Sequence, residues 1–163
     1  ADGVPGQVLV RGAKLATALL REDGSLEPVR GRSLHTRDIA IRDAEGYVAI
    51  AGRMDDVIIR GGVKMVPQEL EDVLLAHPDV RDAAALGVPD PIYGQEPACF
   101  VVLREGAVLS PQELLAHCRA SLAGPKLPRY LRIVGSLPRS GRGKLLRERL
   151  RREWWLAEHG SDN

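Results

Sequence analysis

The sequence predicts an α+β fold, and two observations support this prediction. Short alternating runs of β-branched residues occur in the first third of the chain. From about residue 57 onward, strand-like and helical patterns follow one another in the order β-β-α-β-β-α-β-α, which is typical of a compact α+β domain. With 163 residues, of which 44% are hydrophobic, the chain is long enough for one domain, or for one domain and a piece of another.

The first third of the chain predicts an antiparallel β unit. Residues 7–12 (QVLVRG), 38–42 (DIAIR) and 47–51 (YVAIA) alternate apolar and polar side chains and are separated by glycine and charged residues. The tetrapeptide between the last two runs, residues 43–46, ends in Gly46 and suits a hairpin turn.

A second hairpin and a helix are predicted next. The Gly61-Gly62 pair separates the strand-like runs 57–60 and 63–66, and adjacent glycines tolerate the positive φ of a tight turn. Pro67 suits the first turn of a helix that Pro78 would end. The apolar face of this helix has helical spacing: Leu70, Val73, Leu74 and His77.

The remaining elements complete the order. Strands are predicted at 80–88, 97–103 and 130–134, and a final helix runs from Lys144 to about Trp155. Between them, a helix starts at a serine cap followed by proline and, three residues after the cap, by glutamate: Ser110, Pro111 and Glu113. That helix is expected to bury Leu114, Leu115, Cys118 and Leu122.

Composition argues against several classes of protein. The net charge of +1 does not indicate a basic surface for binding nucleic acid or a membrane. The sequence also contains no apolar stretch long enough to span a membrane. The four histidines form no metal-binding pattern, so no metal site is expected. Cys99 and Cys118 lie in apolar surroundings without metal-like spacing, which favours a reduced, cytoplasmic chain.

Three polar segments carry more glycine, proline and charge than a fold needs: residues 52–56, residues 60–62 and residues 137–144. In the last of these, Gly141 and Gly143 let the backbone curve closely, and exposed amides in such a loop can bind anions. Lys144 adds a mobile positive charge, suited to an oxygen that gains negative charge during a reaction. The alternative is a solvated loop whose lysine simply starts a helix.

These segments resemble motifs of one enzyme superfamily. GRMDDVIIRGGVKMVPQELE (52–71) resembles the hinge-and-loop signature of the adenylate-forming acyl-CoA synthetases, peptide-synthetase adenylation domains and luciferases, and LPRSGRGKLLR (137–147) resembles their C-terminal lysine motif. Residues 6–12 and 34–53 resemble the end of the large domain. The resemblance implies a small C-terminal lid domain, with an antiparallel three-stranded sheet, helices and a β-hairpin, preceded by a β-barrel fragment.

The resemblance assigns a role to each candidate residue. Lys144 matches the lysine that bridges the substrate carboxylate and the adenylate oxygens. Asp38 matches the aspartate that accepts hydrogen bonds from the ribose hydroxyls, and Arg53 matches an arginine that contacts the nucleotide. For Asp38, an ordinary turn carboxylate is the alternative.

The resemblance also predicts a mobile domain. Residues 1–52 would end the N-terminal adenylation domain, 53–56 would form the hinge, and 57–163 would form the C-terminal mobile domain. Asp55 matches the hinge position, for which a plain interdomain turn is the alternative. Three further residues, Arg60, Gly61 and Gly62, match the face that closes the thiol tunnel, for which a simple tight hairpin is the alternative.

One position departs from the resembled pattern. The superfamily usually has Thr-Gly-Asp where this chain has Thr36-Arg37-Asp38. Arginine adopts glycine's strained conformations only at a cost and adds bulk beside the expected ribose site. The departure indicates either an altered nucleotide pocket or a loop that follows a different path.

The function implied is that of one part of an ATP-dependent acid–thiol ligase. The enzyme would use ATP with Mg²⁺ to form an acyl-adenylate from a carboxylic acid, and would pass the acyl group to CoA or to the phosphopantetheine of an acyl-carrier protein. No serine/threonine/glycine-rich phosphate loop is found in the sequence, so the missing N-terminal adenylation domain is an expected partner and the chain alone is expected to be inactive. A domain that loads a carrier protein, or a non-catalytic regulatory module, are the alternatives.

Overall fold

The computed structural model describes residues 2–29 and 33–159, and the chain divides into two compact units between Asp55 and Asp56. In the described part of the chain, the first unit contains five β-strands, and the second combines five strands with three α-helices. The predicted α+β class is therefore confirmed. None of the described helices combines the length and apolar character that crossing a membrane requires.

The described residues of the first unit form two antiparallel sheets. Its strands are β1 (Gly6–Arg11), β2 (Ala18–Leu20), β3 (Leu26–Pro28), β4 (Ser33–Arg42) and β5 (Val48–Arg53). Strands β1, β4 and β5 form one sheet in the order β1-β4-β5, and β2 pairs with β3 in the other. The three predicted runs are all strands. The middle strand is longer than predicted, because β1 pairs with it back to Ser33.

The β2–β3 hairpin was not predicted, because each strand has only three residues and is largely exposed. Its turn is closed by hydrogen bonds from the Arg21 amide to the Ser25 carbonyl (2.8 Å) and from the Gly24 amide to the Arg21 carbonyl (3.0 Å). Gly24 has a φ of 82°. The Asp23-Gly24 pair is a hairpin signal that could have located this turn in the sequence.

The second unit is a five-stranded sheet with helices on both faces. Its elements are β6 (Ile58–Arg60), β7 (Val63–Met65), α1 (Pro67–Leu75), β8 (Val80–Asp90), β9 (Gly94–Leu103), α2 (Pro111–Arg119), β10 (Tyr130–Ile133) and α3 (Arg147–His159). The predicted three-stranded antiparallel sheet is wrong in two details. The hairpin joins the sheet through the pairing of Arg60 with Gly94. Strand β10 runs parallel to β9, because the connection through α2 is a crossover.

The core of the second unit lies on both faces of β8 and β9. Successive side chains of a strand point to opposite faces, so the two strands supply both clusters. One face packs against α1 and α2 through Ala83, Ala85, Cys99, Val101, Leu70, Leu74, Leu114 and Cys118. The other packs against α3 through Ala84, Leu86, Val88, Phe100, Val102, Leu150 and Trp154. Burial on both faces explains why these strands read as continuous apolar runs.

All three described helices differ from their predicted extents. Helix α2 ends at Arg119, so Leu122, which is buried as expected, lies beyond it. Helix α2 has the predicted capping box, because the Ser110 side chain accepts from the Glu113 amide and the Glu113 carboxylate accepts from the Ser110 amide. Its Leu115 is only half-buried, contrary to expectation. Helix α1 ends at Leu75, so His77 lies beyond it. Helix α3 begins at Arg147 rather than at Lys144.

Candidate functional site

In the first unit, Asp38 and Arg53 face each other across a strand pair. They are direct partners in the register of β4 and β5, and Nη1 of Arg53 lies 3.9 Å from Oδ1 of Asp38. The Asp38 carboxylate therefore belongs to a strand and not to a turn. The side chains are 41% and 45% exposed, so both remain accessible to a ligand.

Asp55 joins the same group of charges. It lies in a short 3₁₀ turn, Met54–Asp56, that directly follows β5. Its Oδ2 is 3.7 Å from Nη2 of Arg53, and its Oδ1 accepts a hydrogen bond of 2.8 Å from Nη1 of Arg37. The structure thus brings three predicted site residues together, and it adds Arg37 as the nearest partner of the proposed hinge aspartate.

In the second unit, strands β6 and β7 with their connecting turn form the glycine hairpin (residues 58–65). Both turn residues have positive φ, 52° at Gly61 and 85° at Gly62, as a two-residue type I′ turn requires. The Gly61 amide donates to the Tyr93 carbonyl at 2.9 Å. A Cβ at Gly61 would lie 3.1 Å from Cδ1 of Tyr93, so the tyrosine packs closely against the turn.

Arg60 of the glycine hairpin is paired with a carboxylate of the second unit. Nε of Arg60 donates to Oε2 of Glu96 at 2.6 Å, and Glu96 is 3% exposed. The guanidinium also lies 4.5 Å from the centre of the Tyr93 ring. Its hydrogen bond to Glu96 raises the pKa of Arg60. Sequence reasoning found Arg60 but neither partner, since both lie more than 30 residues away and only the fold brings them close.

Lys144 lies on a tight turn, which we name the lysine turn (residues 140–144). The Ser140 amide donates to the Lys144 carbonyl at 2.8 Å, and the Gly143 amide donates to the Ser140 carbonyl at 2.8 Å. Gly143 has a φ of 77°, and Arg139 pairs with Leu145 beyond the turn. This geometry explains why α3 does not start at Lys144, and Lys144 lies in an exposed turn three residues before the helix.

Arg139 anchors the lysine turn to β8. Its Nη2 donates to both carboxylate oxygens of Asp82, at 2.7 and 2.8 Å, and its Nη1 donates to the Gly143 carbonyl at 2.8 Å. The Lys144 side chain is exposed, and among the described residues no carboxylate pairs with its ammonium. The turn therefore presents an available positive charge on an anchored backbone.

A partly buried ion pair fixes the start of α3 just after the lysine turn. Nη2 of Arg147 donates to Oε1 of Glu71 at 2.6 Å, and the same oxygen accepts from the Ala85 amide at 2.9 Å. Nη1 of Arg147 lies 3.7 Å from Asp56. One arginine thus connects α3 with α1, with β8 and with the first residue of the second unit. No local pattern in the sequence indicates this network, because Glu71 and Arg147 are 76 residues apart.

The described residues contain no group of three or more histidine, cysteine, aspartate or glutamate side chains placed to hold a metal ion. Cys99 and Cys118 are buried free thiols, and burial raises the pKa of both. The exposed charges of the site suit two kinds of contact: Asp38 and Arg53 can bind a diol or an anion, and Lys144 can stabilise negative charge.

Comparison with known proteins identifies the family. Residues 69–144 match the family described as AMP-binding enzyme C-terminal domain. A sulfoacetate–CoA ligase from Cupriavidus necator is 38% identical over 151 residues, which are 91% of this chain and 30% of that protein. The chain therefore spans about a third of the length of the curated relatives it matches.

Two solved structures have the same fold as this chain over most of its length. The anthranilate CoA ligase AuaEII in complex with anthranoyl-AMP is 32% identical, with a TM-score of 0.81 over 97% of this chain and 31% of that chain. ATP-bound MatB from Rhodopseudomonas palustris is 29% identical, with a TM-score of 0.81 over 94% of this chain and 31% of that chain. The chain belongs to the adenylate-forming, AMP-binding superfamily of acyl- and aryl-CoA synthetases and corresponds to their C-terminal part.

Proposed function

We propose that the protein containing this chain activates a carboxylic acid with ATP and transfers the acyl group to the thiol of CoA. The relatives support both halves of this reaction. One solved neighbour holds ATP and another holds an acyl-adenylate, anthranoyl-AMP. The matched curated proteins are CoA ligases, including a 2-succinylbenzoate–CoA ligase from Bacillus cereus that is 39% identical over 149 residues.

The observation that carries the proposal is the exposed ammonium of Lys144, unpaired among the described carboxylates, on an anchored turn. In the first step, a carboxylate oxygen attacks the α-phosphorus of ATP, the bond to the bridging oxygen breaks, and pyrophosphate leaves. Negative charge crowds around the α-phosphate during this attack. A positioned cation that neutralises developing charge accelerates such a step, so Lys144 acts as the catalytic residue of adenylation.

The other site residues bind and position. The Asp38 carboxylate offers two acceptor oxygens to the vicinal hydroxyls of a ribose, and Arg53 beside it contacts the nucleotide. Asp55 lies where the two units divide, and we assign it to the hinge about which the second unit moves between the two steps. In the second step the thiol gives up its proton to solvent and its sulfur attacks the acyl carbon. The bond from that carbon to the phosphate oxygen breaks and AMP leaves, with Gly61 and Gly62 allowing close backbone approach.

This chain acts together with a large adenylation domain. Mg²⁺ accompanies ATP, and it would be held outside this chain, since the described residues offer no cluster of metal ligands. The phosphate loop and the acyl pocket belong to the same large domain. A carrier-protein phosphopantetheine is the alternative acceptor; CoA is preferred because the matched curated relatives are named as CoA ligases.

The test uses the complete protein, in which this chain is joined to its large domain. A panel of aliphatic and aromatic carboxylic acids is screened for acid-dependent exchange of labelled pyrophosphate into ATP. The responding acid is then offered with CoA or with a pantetheinylated carrier protein. Exchange followed by acyl-CoA formation supports the proposal. Acylation of the carrier alone would identify the alternative acceptor, and absence of exchange with every acid would support the non-catalytic module.

A further inference from the structure

Arg37 is the position at which this chain departs from the resembled pattern, and its side chain has a defined partner. Nη1 of Arg37 donates to Oδ1 of Asp55 at 2.8 Å. The next cation, Arg53, is 3.7 Å from the other carboxylate oxygen of Asp55. Arg37 is therefore the principal partner of Asp55, across 18 residues of sequence.

The backbone that carries Arg37 is held on both sides. The Thr36 hydroxyl donates to the Val8 carbonyl of β1 at 3.0 Å, and the Asp38 amide donates to that same hydroxyl at 3.1 Å. Asp38 in turn pairs with Arg53 of β5. Arg37 thus projects from the central strand of a three-stranded sheet, whereas Asp55 is the last residue of the first unit. The ion pair joins a fixed strand to the point where the chain leaves that unit.

Charges alternate along this part of the first unit. Asp38, Arg53, Asp55 and Arg37 form a row in which each charge neighbours one of opposite sign. Because Asp55 pairs more closely with Arg37 than with Arg53, the guanidinium of Arg53 stays available to contact the nucleotide, which is the role that we propose for it. Without Arg37, the carboxylate of Asp55 would keep Arg53 as its only partner in this row.

We propose that Arg37 is a positioning residue that restrains Asp55 and thereby sets how the chain is distributed between its two poses. This inference rests on the hinge role in the proposed function. The two side chains are 63% and 46% exposed, so the pair has the modest strength of a surface ion pair and is screened by salt. Removing the pair changes the ratio of the populations of the two poses by about two- to fivefold. The pair therefore biases the equilibrium and does not hold the chain in one pose.

A distance measurement on the 163-residue chain tests the restraint without requiring activity. Spin labels are placed at exposed positions, one in each unit, by Tyr47→Cys and Val108→Cys. Cys99 and Cys118 are fully buried and react poorly with the label. In the Arg37→Gln variant, the distribution of distances between the labels shifts or broadens, and Arg37→Lys gives an intermediate distribution.

The matched control is Arg42→Gln. Arg42 lies on the same strand and forms an exposed ion pair with Asp2 at 2.8 Å, but it does not contact Asp55. This variant retains the parent distribution. Raising the ionic strength shifts the parent toward the Arg37→Gln distribution and changes Arg37→Gln less, because only the longer Arg53–Asp55 pair remains there to be screened. Identical distributions in the parent and in Arg37→Gln would overturn the proposal, as would an equal change in Arg42→Gln.

A kinetic measurement on the complete protein separates this inference from the proposed function. The ratio of pyrophosphate exchange to thiol transfer changes about two- to fivefold in Arg37→Gln and stays constant in Arg42→Gln. If the unmodified protein catalyses neither half-reaction, the proposed function fails while the distance measurement still decides on the restraint. An unchanged ratio in an active Arg37→Gln enzyme would contradict the role of Arg37.

Discussion

The lysine turn and the glycine hairpin are built alike, but they use their charges differently. Each is a tight turn that needs glycine at positive φ, and each is anchored by an arginine paired with a carboxylate of the sheet. In the glycine hairpin, the pair is that of Arg60 with the buried Glu96. In the lysine turn, the pair is that of Arg139 with the more exposed Asp82, and the exposed side chains of Arg142 and Lys144 have no carboxylate partner among the described residues.

This difference fits the two steps of the proposed function, in which one small unit serves both. At its turn the glycine hairpin has Arg60 paired with Glu96 and offers mainly the backbone of Gly61 and Gly62, which suits close passage of an uncharged chain. Its other cation, Lys64, lies on β7 opposite Ile59. The lysine turn offers a positive charge, which suits a phosphate. We infer that the anchoring arginines are structural and that Lys144 is the catalytic cation of the pair of turns.

The two turns are also tied to opposite ends of the same strand pair. Arg139 contacts Asp82 near the start of β8, whereas Arg60 pairs with Gly94, which faces Asp90 at the end of β8. The eight residues from Asp82 to Asp90 span about 26 Å at the usual rise of a strand. The anchors of the two turns are thus far apart for one small reacting centre, and the two roles that we propose for the turns therefore require movement of the unit.

The largest expected effect on stability comes from the glycine hairpin. Arg60→Met leaves Glu96 buried without its cation, which we expect to lower the free energy of unfolding of the second unit by about 4 kcal/mol. Urea unfolding of the 163-residue chain measures the change. The double variant Arg60→Met/Glu96→Gln should recover most of the loss, and a loss below about 1 kcal/mol in the single variant would show that the pair is not an anchor.

A slightly smaller loss of stability is expected for a substitution at the first residue of α3. Arg147→Met removes the cation beside Glu71, which is 5% exposed but keeps the Ala85 amide as a hydrogen-bond donor. Because this donor still compensates part of the charge, we expect a loss of about 3 kcal/mol in the same unfolding experiment. Arg149→Met, which breaks the exposed pair of Arg149 with Glu153 on the same helix, is the matched control and should change stability little.

The anchor of the lysine turn should matter less for stability. Arg139→Met breaks an ion pair whose partners are 42% and 28% exposed, so the expected loss is at most about 1 kcal/mol. The effect should appear locally instead. Faster hydrogen exchange at the Gly143 and Lys144 amides would show that the turn has loosened, and unchanged exchange there would contradict the anchoring role of Arg139.

The smallest effect concerns acid stability near the glycine hairpin. Asp90 accepts hydrogen bonds from the amides of Tyr93 and Ile92, and the bond from Tyr93 is the main cause of its lowered pKa. A carboxyl whose folded pKa is depressed adds stability above its unfolded pKa of about 3.9, and this stability is lost as the pH falls through the lower folded value. The free energy of unfolding of Asp90→Asn should therefore fall less steeply than that of the parent as the pH decreases through this acidic range. Urea unfolding at successive pH values measures this dependence. If the free energy of unfolding falls equally with pH in the parent and in Asp90→Asn, Asp90 is not the cause of the acid sensitivity.

Local chemistry made several elements predictable from sequence. The capping box of Ser110 and Glu113 lies within one turn, and the Gly61-Gly62 turn needs only its own two residues. The charged partners could not be predicted in the same way. Glu71 is 76 residues from Arg147, and Glu96 is 36 residues from Arg60, so only the packed sheet determines these pairs. The start of α3 was misplaced because hydrogen bonds of the lysine turn compete with the helix.

The most direct test of the account compares both turns in both half-reactions of the complete protein. The variants are Lys144→Ala and Gly61→Ala, with Lys14→Ala as an exposed lysine control from the first unit. We predict that Lys144→Ala slows acid-dependent pyrophosphate exchange by about 100-fold or more while preserving thiol transfer from supplied acyl-adenylate. Gly61→Ala should show the reverse pattern, and Lys14→Ala should match the parent. Exchange at the parent rate in Lys144→Ala, or equal losses in both half-reactions for both variants, would contradict the division of roles.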